Sequence, residues 1–352
     1  MIDRSANKDE SRKIIDLAVK IFKPNMGEQF IRLFSPDNHQ HQMVCEEEGK
    51  IIAAVNYYLT HVDSSIGKLN VASIGAVCTE EAYRGQGISS RLLQLAQIQM
   101  KKEQVDFCII SGDGHLYRRF GAQDVGAMHR YVIESFIPTE LHDARLFSGH
   151  PSELYPIYHK ETIKYQRTLN EFEDLYKGQT YPDSYQTYPV HVIYKQNMLI
   201  AYVILINHPR ANHLRIKEFA GDRTAIYQSL PTLMQTYKKK GIELVASITD
   251  PIRYVIQKSP ERITQHATLK IIDHQHFFKT LNAYLLKHSH RISFQASGED
   301  TILSMDQKQY ILTHDQSHSL IFSGLIPDMI DRELPSDIFP IELPWSHNLN
   351  YQ

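Results

Sequence analysis

The feature that most constrains this chain is a near-continuous apolar run, Val71 to Cys78, followed by a glycine loop and a helix-like stretch. A run of that length and composition is the pattern of a strand covered on both faces. Thr79 and then Glu80-Glu81-Ala82-Tyr83 separate it from Arg84-Gly85-Gln86-Gly87-Ile88-Ser89. Beyond the loop, Ile88, Leu92, Leu95, Ala96 and Met100 fall on one helical face. Val105 to Ile110 then reads as a second buried strand. Strand, loop, helix and strand in that order predict a mixed α/β unit.

The flanking pattern extends it. Ile14, Ile15, Ala18, Val19 and Phe22 have helical spacing, and a shorter helix is expected from Gly27 to Phe34, before Pro36. Met43 to Cys45 and Ile51 to Leu59 read as a hairpin turned through Glu47 to Lys50. Leu116 and Phe120 begin a short helix stopped by Gly121, and Val125 to Ile133 supplies a final strand. Pro138 to Thr180 is expected to be mostly helical. After a Tyr- and Pro-rich connector at Tyr181 to Pro189, the first order returns. Strands are expected at Val190 to Tyr194, Met198 to Ile206 and Ile216 to Ala220, then a helix over Ala225 to Lys240 and a strand over Glu243 to Ile248. This reads as a structural repeat, although residue identity is slight. Its loop, Gly221-Asp222-Arg223-Thr224, lacks the second glycine and should hold phosphate poorly. A third unit begins near Leu269, with a helix at Phe277 to Leu286 and short strands at Ile292 to Ala296, Thr301 to Met305, Gln309 to Thr313 and Ser319 to Ser323. The tail from Glu342 carries Trp345 and Tyr351, which favour docking over disorder.

Three chemistries compete for Gly85 and Gly87. A phosphate-binding P-loop requires Gly-Lys-Ser/Thr, and Gly87-Ile88-Ser89 is not that. A dinucleotide fingerprint needs its first glycine directly after the strand and a third glycine where Ser90 stands. The delayed loop with Arg84 at its entrance fits an acyl-CoA pyrophosphate instead. A helix N-terminus offers unpaired N–H groups and a positive dipole end to such an anion. Glycines let the backbone approach the phosphate oxygens, and Ile88 and Leu92 anchor the helix beneath.

Composition narrows the field. Lys and Arg total 38 against 40 Asp and Glu, a formal charge of −2, so no global field draws nucleic acid or an acidic membrane. Lys238 to Lys240 reads as a solvated helix end. Three cysteines, Cys45, Cys78 and Cys108, make no disulfide framework and point to a reducing cytoplasmic setting. No stretch approaches the roughly 18 apolar residues of a membrane span, and the polar N-terminus has no signal-peptide character. The 19 histidines include the pairs His39/His41, His274/His276 and His288/His290, in polar surroundings without ligand companions, so no metal is expected.

Ala76 to Gly121 resembles the core of the GNAT acyltransferase superfamily, whose Gln/Arg-x-x-Gly-x-Gly/Ala motif matches Arg84 to Ser89, with Ser89 replacing Gly or Ala. Leu116-Tyr117-Arg118-Arg119-Phe120-Gly121-Ala122 resembles that family's Phe-Tyr-x-x-x-Gly-Phe segment. The whole chain resembles the enhanced-intracellular-survival acetyltransferases. The fold implied is α/β (α+β): two GNAT-like mixed-sheet domains in tandem, 1–137 and 138–265, the second degenerate, plus a small sterol-carrier-like α+β domain with a tail, 266–352. The resemblance further implies acetyl-CoA as co-substrate and assigns the Val77, Cys78 and Thr79 amides to pantetheine and the acyl carbonyl. Arg84, Gly85, Gln86, Gly87, Ile88 and Ser89 would hold the pyrophosphate, with Ser111, Gly112 and Asp113 along CoA's other flank. Tyr117 inherits the general-acid role, protonating the departing thiolate. The carboxylate of Gln352 is implied as base. On the residues alone, a water relay or Glu46 to Glu48 are equal candidates. Cys78 as an acylated nucleophile is disfavoured, having no histidine near it in sequence and an apolar strand around it. The expected activity is acetyl transfer to a primary amine of a small molecule or peptide. An aminoglycoside-type antibiotic acetyltransferase and a non-catalytic acyl-CoA-binding regulator remain as alternatives. A homo-oligomer is left open.

Overall fold

The computed structural model describes residues 1–112, 114–135, 142–183, 185–288, 291–330, 334 and 338–352. Asp113, His290 and the expected junction at 137/138 lie outside the described residues. The first unit runs β1 (Ile2–Ser5), α1 (Ser11–Ile21), α2 (Met26–Gln29), β2 (Gln42–Glu47), β3 (Lys50–Ser64), β4 (Gly67–Thr79), α3 (Ile88–Lys102), β5 (Phe107–Ile110) and α4 (His115–Phe120). The second runs β6 (Met128–Ile133), β7 (Ala144–Leu146), α5 (Tyr155–His159), β8 (Lys164–Gln166), α6 (Leu169–Gln179), β9 (Val190–Lys195), β10 (Met198–Ile206), β11 (His213–Gly221), α7 (Arg223–Tyr237), β12 (Gly241–Ser247) and β13 (Glu261–Ile263). The third holds β14 (Thr268–Ile271), α8 (His274–Lys287), β15 (Ile292–Ser297), β16 (Asp300–Met305), β17 (Lys308–Leu312) and α9 (His314–Ser323).

The first sheet has the order β1-β2-β3-β4-β5-β14, with β8 added along the far end of β3. It is covered on both faces, as the apolar runs require. Ile88, Leu92, Leu93, Ala96 and Met100 of α3 pack with Met43, Val55, Tyr57, Ala72 and Ile74 on one face. Ile14, Leu17 and Ala18 of α1 pack with Val44, Ala54, Tyr58 and Cys78 on the other. The β2–β3 hairpin turns through Glu48 and Gly49, both at positive φ, 49° and 78°, which matches the twist of the strands it joins.

The second sheet has the order β13-β6-β12-β11-β10-β9-β7. Its β9-β10-β11-α7-β12 segment repeats β2-β3-β4-α3-β5. In each copy a hairpin and an antiparallel third strand are followed by a crossover helix and one parallel strand. Both copies carry a register shift where the second strand meets the third, between Ala54 and Asn56 in one and between Ile204 and Leu205 in the other.

Two strands are exchanged between the sheets. β6 follows α4 in the chain, yet it pairs antiparallel with β12, Ile133 opposite Ile242. The final strand expected for the first unit thus belongs to the second sheet. Reciprocally, β14 pairs antiparallel with β5, Thr268 opposite Ile110, and closes the first sheet. Tertiary pairing also overrides the helical reading of Pro138 to Thr180. Within it, Ala144–Leu146 pairs with β9 and Lys164–Gln166 with β3, while α5 and α6 supply the helices.

The third unit sets the three-stranded antiparallel sheet β15-β16-β17 beside α8 and α9. Ser319 to Ser323, expected as a strand, lies within α9, which Thr313 caps by accepting from the Gln316 N–H. Its core continues into the first sheet, Phe277, Leu281 and Phe322 meeting Val71, Phe107 and Ile109. The tail beyond Ile338 is docked. Its Ile341 N–H bonds the Ile321 carbonyl, Glu342 and Ser65 exchange two hydrogen bonds, and Ser346 N–H bonds Gln265.

Candidate active site

β4 and β5 lie parallel from Val71/Phe107 to Ile74/Ile110, and the Ser111 N–H makes the last bond to the Ile74 carbonyl. β4 then continues through Gly75 to Thr79 with no partner on that side among the described residues. The cause is local. Two residues, Ala76 and Val77, oppose the single Val55 of β3, and Ala76 sits at φ 49°. Such a bulge bends the strand and strengthens its twist. The Asn56 amide nitrogen steadies it by donating to the Ala76 carbonyl at 3.1 Å. The result is a V-shaped gap with the backbone of Val77, Cys78 and Thr79 along one edge and Ser111 at its vertex.

At the open end of the gap lies the glycine loop. Gly85 and Gly87 have φ of 80° and 72°, and an added Cβ at either would meet nothing within 4 Å. Gly87 is the N-cap of α3, and no side chain caps the helix. The first-turn amides are thus left without a side-chain acceptor, as an anion site requires. Arg84 is exposed and donates from Nε to the Thr79 carbonyl at 3.3 Å. The Thr79 and Ser89 hydroxyls are 2.8 Å apart and join strand to helix. Ile88 is buried and serves as the anchor.

The corresponding loop of the second unit is closed. The Gly221 N–H donates to Glu161 Oε1 at 2.8 Å, and Asp222 caps α7 by accepting from the Ala225 N–H at 2.8 Å. Arg223 is held between Glu161 and Asp250 at 2.6 and 2.8 Å. Carboxylates already occupy the donors that a pyrophosphate would need. A cleft of about 730 Å³ persists beside them, between β11 and β12, walled partly by Pro344, Trp345 and Asn348 of the tail.

Tyr117 lies on α4 beyond the end of β5. Its ring packs against Gly112, where an added Cβ would come within 3.0 Å of Cε2. Burial, then the Tyr351 phenol and the Cys78 thiol nearby, push the Tyr117 hydroxyl up to about 12. It is therefore protonated at neutral pH, the state a general acid needs. The tail brings Tyr351 and Gln352 to the same place. Burial raises the Tyr351 phenol, and the Ser111 side chain beside it works the other way. Gln352 is buried, its main-chain carbonyl against Gly75, where a Cβ would sit 2.4 Å from the carbonyl carbon.

Val77, Cys78, Thr79, the Arg84 to Ser89 loop, Ser111, Tyr117 and Gln352, the residues expected from the sequence, thus lie around one gap. Cys78 is 3% exposed, and burial raises its thiol to about 12. That environment suits an inert packing residue rather than a nucleophile. Of the hairpin acids, Glu46 is already engaged, pairing with Arg4 at 2.5 Å, and Glu47 lies near the Tyr83 phenol and raises it. Sequence reasoning missed Gly75, Asn56 and Tyr351. A lone glycine within an apolar strand signals a bulge or a close backbone approach, and that signal was present at Gly75.

Comparison with known proteins agrees with this geometry. Residues 3–124 match the family profile described as the acetyltransferase (GNAT) domain. The first unit is therefore a GNAT acetyltransferase domain. Three solved structures share the wider architecture. A GCN5-related N-acetyltransferase from Anabaena variabilis is 13% identical, with TM-score 0.58. A conserved protein of unknown function from Enterococcus faecalis, described as a probable N-acyltransferase, is 15% identical with TM-score 0.62. Eis1 from Mycobacterium abscessus is 13% identical with TM-score 0.59. In each case 89% of this chain and 85% of the other are covered. No curated protein matches the sequence. Identities this low establish a shared fold and leave the substrate open. Among the described residues, no helix is long and apolar enough to cross a membrane.

Proposed function

We propose that this chain is an acetyl-CoA-dependent N-acetyltransferase that acylates a primary amine of a small molecule or peptide in the cytoplasm. The observation that carries the reading is the gap between β4 and β5, with an uncapped helix N-terminus at one end and a protonated phenol at the other. The α3 amides and Arg84 bind the pyrophosphate. The Val77 to Thr79 backbone pairs with the pantetheine arm, and its amides orient the thioester carbonyl. The amine nitrogen attacks that carbonyl carbon directly. The C–S bond breaks as the C–N bond forms, and the leaving sulfur takes its proton from the Tyr117 hydroxyl. The proton shed by the amine passes to the carboxylate of Gln352, supported by that residue's position against Gly75. The third unit is read as sterol-carrier-like, on the resemblance already noted.

The test is release of free CoA thiol from acetyl-CoA with polyamines, aminoglycosides and peptides as acceptors, products being identified by mass spectrometry. Acetyl-CoA binding without turnover on any acceptor overturns the reading in favour of a non-catalytic acyl-CoA binder.

A further inference from the structure

The second unit has a closed phosphate loop, yet it holds one elaborate buried polar network. Arg167, just after β8, and Glu218, on β11 beside its bulge, form a forked ion pair, Nη1–Oε1 3.0 Å and Nη2–Oε2 2.7 Å. Their side chains are 1% and 5% exposed. The guanidinium lies 4.0 Å from the Tyr158 ring centroid, and Tyr202 donates to Glu218 Oε1 at 2.8 Å. The remaining contacts run to the tail. Arg167 Nε donates to Asn350 Oδ1 at 2.7 Å, and the Leu349 N–H donates to Glu218 Oε2 at 3.4 Å. The Asn350 carbonyl in turn accepts from Ser73 on β4 at 3.4 Å and from the Gln352 side chain at 3.3 Å. A continuous path therefore links the second sheet to the gap in the first.

We propose that Arg167 and Glu218 are positioning residues for the active site of the first unit, acting through Leu349 and Asn350 to hold Tyr351 and Gln352 beside Tyr117. This rests on the acetyl-transfer reading above. A buried ion pair adds little net stability, because desolvation offsets the attraction. What the fork does supply is direction, since two parallel N–H···O bonds fix the guanidinium plane and hence where Nε points. Tyr351 directly follows Asn350 and Gln352 lies one residue beyond, so the register set at Asn350 is passed on with little slack. The second unit retains the duplicated fold and uses it as the seat of the tail.

The test uses the full chain. Arg167→Met combined with Glu218→Met removes both charges, so that neither is left buried alone. Asn350→Leu removes only the acceptor, and Asn350→Asp restores one. The chain's single tryptophan, Trp345, lies in the tail, so its emission reports docking independently of turnover. Expected for the double variant and Asn350→Leu are a red-shifted emission, a cooperative thermal transition, and kcat lower by at least about 10-fold, with the acetyl-CoA KM within about threefold. Asn350→Asp should keep kcat within about threefold of the parent. Unchanged emission and kcat in Asn350→Leu overturn the proposal. A red shift with unchanged kcat also overturns it, showing a seat without a catalytic consequence. Failure of the acetyl-transfer reading is distinct, because the unaltered chain would then turn over no amine.

Discussion

Replacing Gly75 with alanine adds one methyl group where the tail meets the bulged strand. The new Cβ would stand 2.4 Å from the Gln352 carbonyl carbon, 2.7 Å from its oxygen and 3.1 Å from its Cβ. Ordinary carbon contacts begin about 1 Å farther out, so the end of the tail must retreat by roughly that distance. Gly75 is not in the left-handed region, and alanine adopts its backbone without strain. Lower unfolded-chain entropy adds about 0.4–1 kcal/mol of stability, set against a packing penalty of about 1–3 kcal/mol. The fold should therefore survive. A catalytic group misplaced by about 1 Å can cost around 10²-fold in rate, equivalent to about 2.7 kcal/mol of barrier. Steady-state thiol release should show kcat lower by that order, while the acetyl-CoA KM, set at the far end of the gap, stays within about threefold. Thermal unfolding and Trp345 emission, measured on the same sample, separate local displacement from unfolding. A folded Gly75→Ala chain with parental kcat would refute the idea that the tail end takes part in the reaction.

Tyr117→Phe should lower kcat by about 10²-fold or more, the usual contribution of general acid catalysis, with little change in acetyl-CoA affinity by calorimetry. Because the Tyr117 hydroxyl is raised to about 12, its acid form persists on the alkaline side. The pH–rate profile should show no loss from this group below about pH 11. Gly87→Glu places a carboxylate and a positive-φ penalty at the α3 N-cap, and should raise the acetyl-CoA KM by about 10-fold or more. An unchanged KM would rule out the loop as the pyrophosphate site. Burial lowers the Lys217 ammonium to about 7, below its unfolded value. The unfolded chain then binds more protons between about pH 7 and 10.5, so stability should rise with pH across that window. Lys217→Met should abolish the rise in urea titrations.

The site's local pieces were legible because each follows from short-range chemistry. Gly85 and Gly87 occupy positions of positive φ, the α3 anchors recur at helical spacing, and Gly121 at φ 89° stops α4 where expected. Small errors there have local causes. Leu93 is buried in place of Leu95, which is half-buried at the helix flank. Partnership was illegible. Met128–Ile133 and Thr268–Ile271 look like strands, but apolar alternation states that a face is buried and not which sheet buries it. Ala144–Leu146 and Lys164–Gln166 are too short to carry a period and are strands only because β9 and β3 pair with them. The tail's aromatic residues hinted at docking. The acceptor for Arg167, at Asn350, is 183 positions away, a separation no local pattern encodes.

The reciprocal placement of β6 and β14 sets a limit on how this protein can be dissected. A fragment ending near residue 137 would leave the β5 edge bare where Thr268–Ile271 belongs, and would present β6 without β12. Unpaired apolar edges of that kind invite aggregation. A fragment beginning after residue 137 would lack β6, the strand that joins β13 to β12 in its own sheet. A workable piece must therefore hold β6 with β12 and β5 with β14, and cutting the chain near residue 137 should yield insoluble protein rather than a minimal catalyst. The interlock also means that neither sheet is a self-contained module, although each repeats the same order of elements.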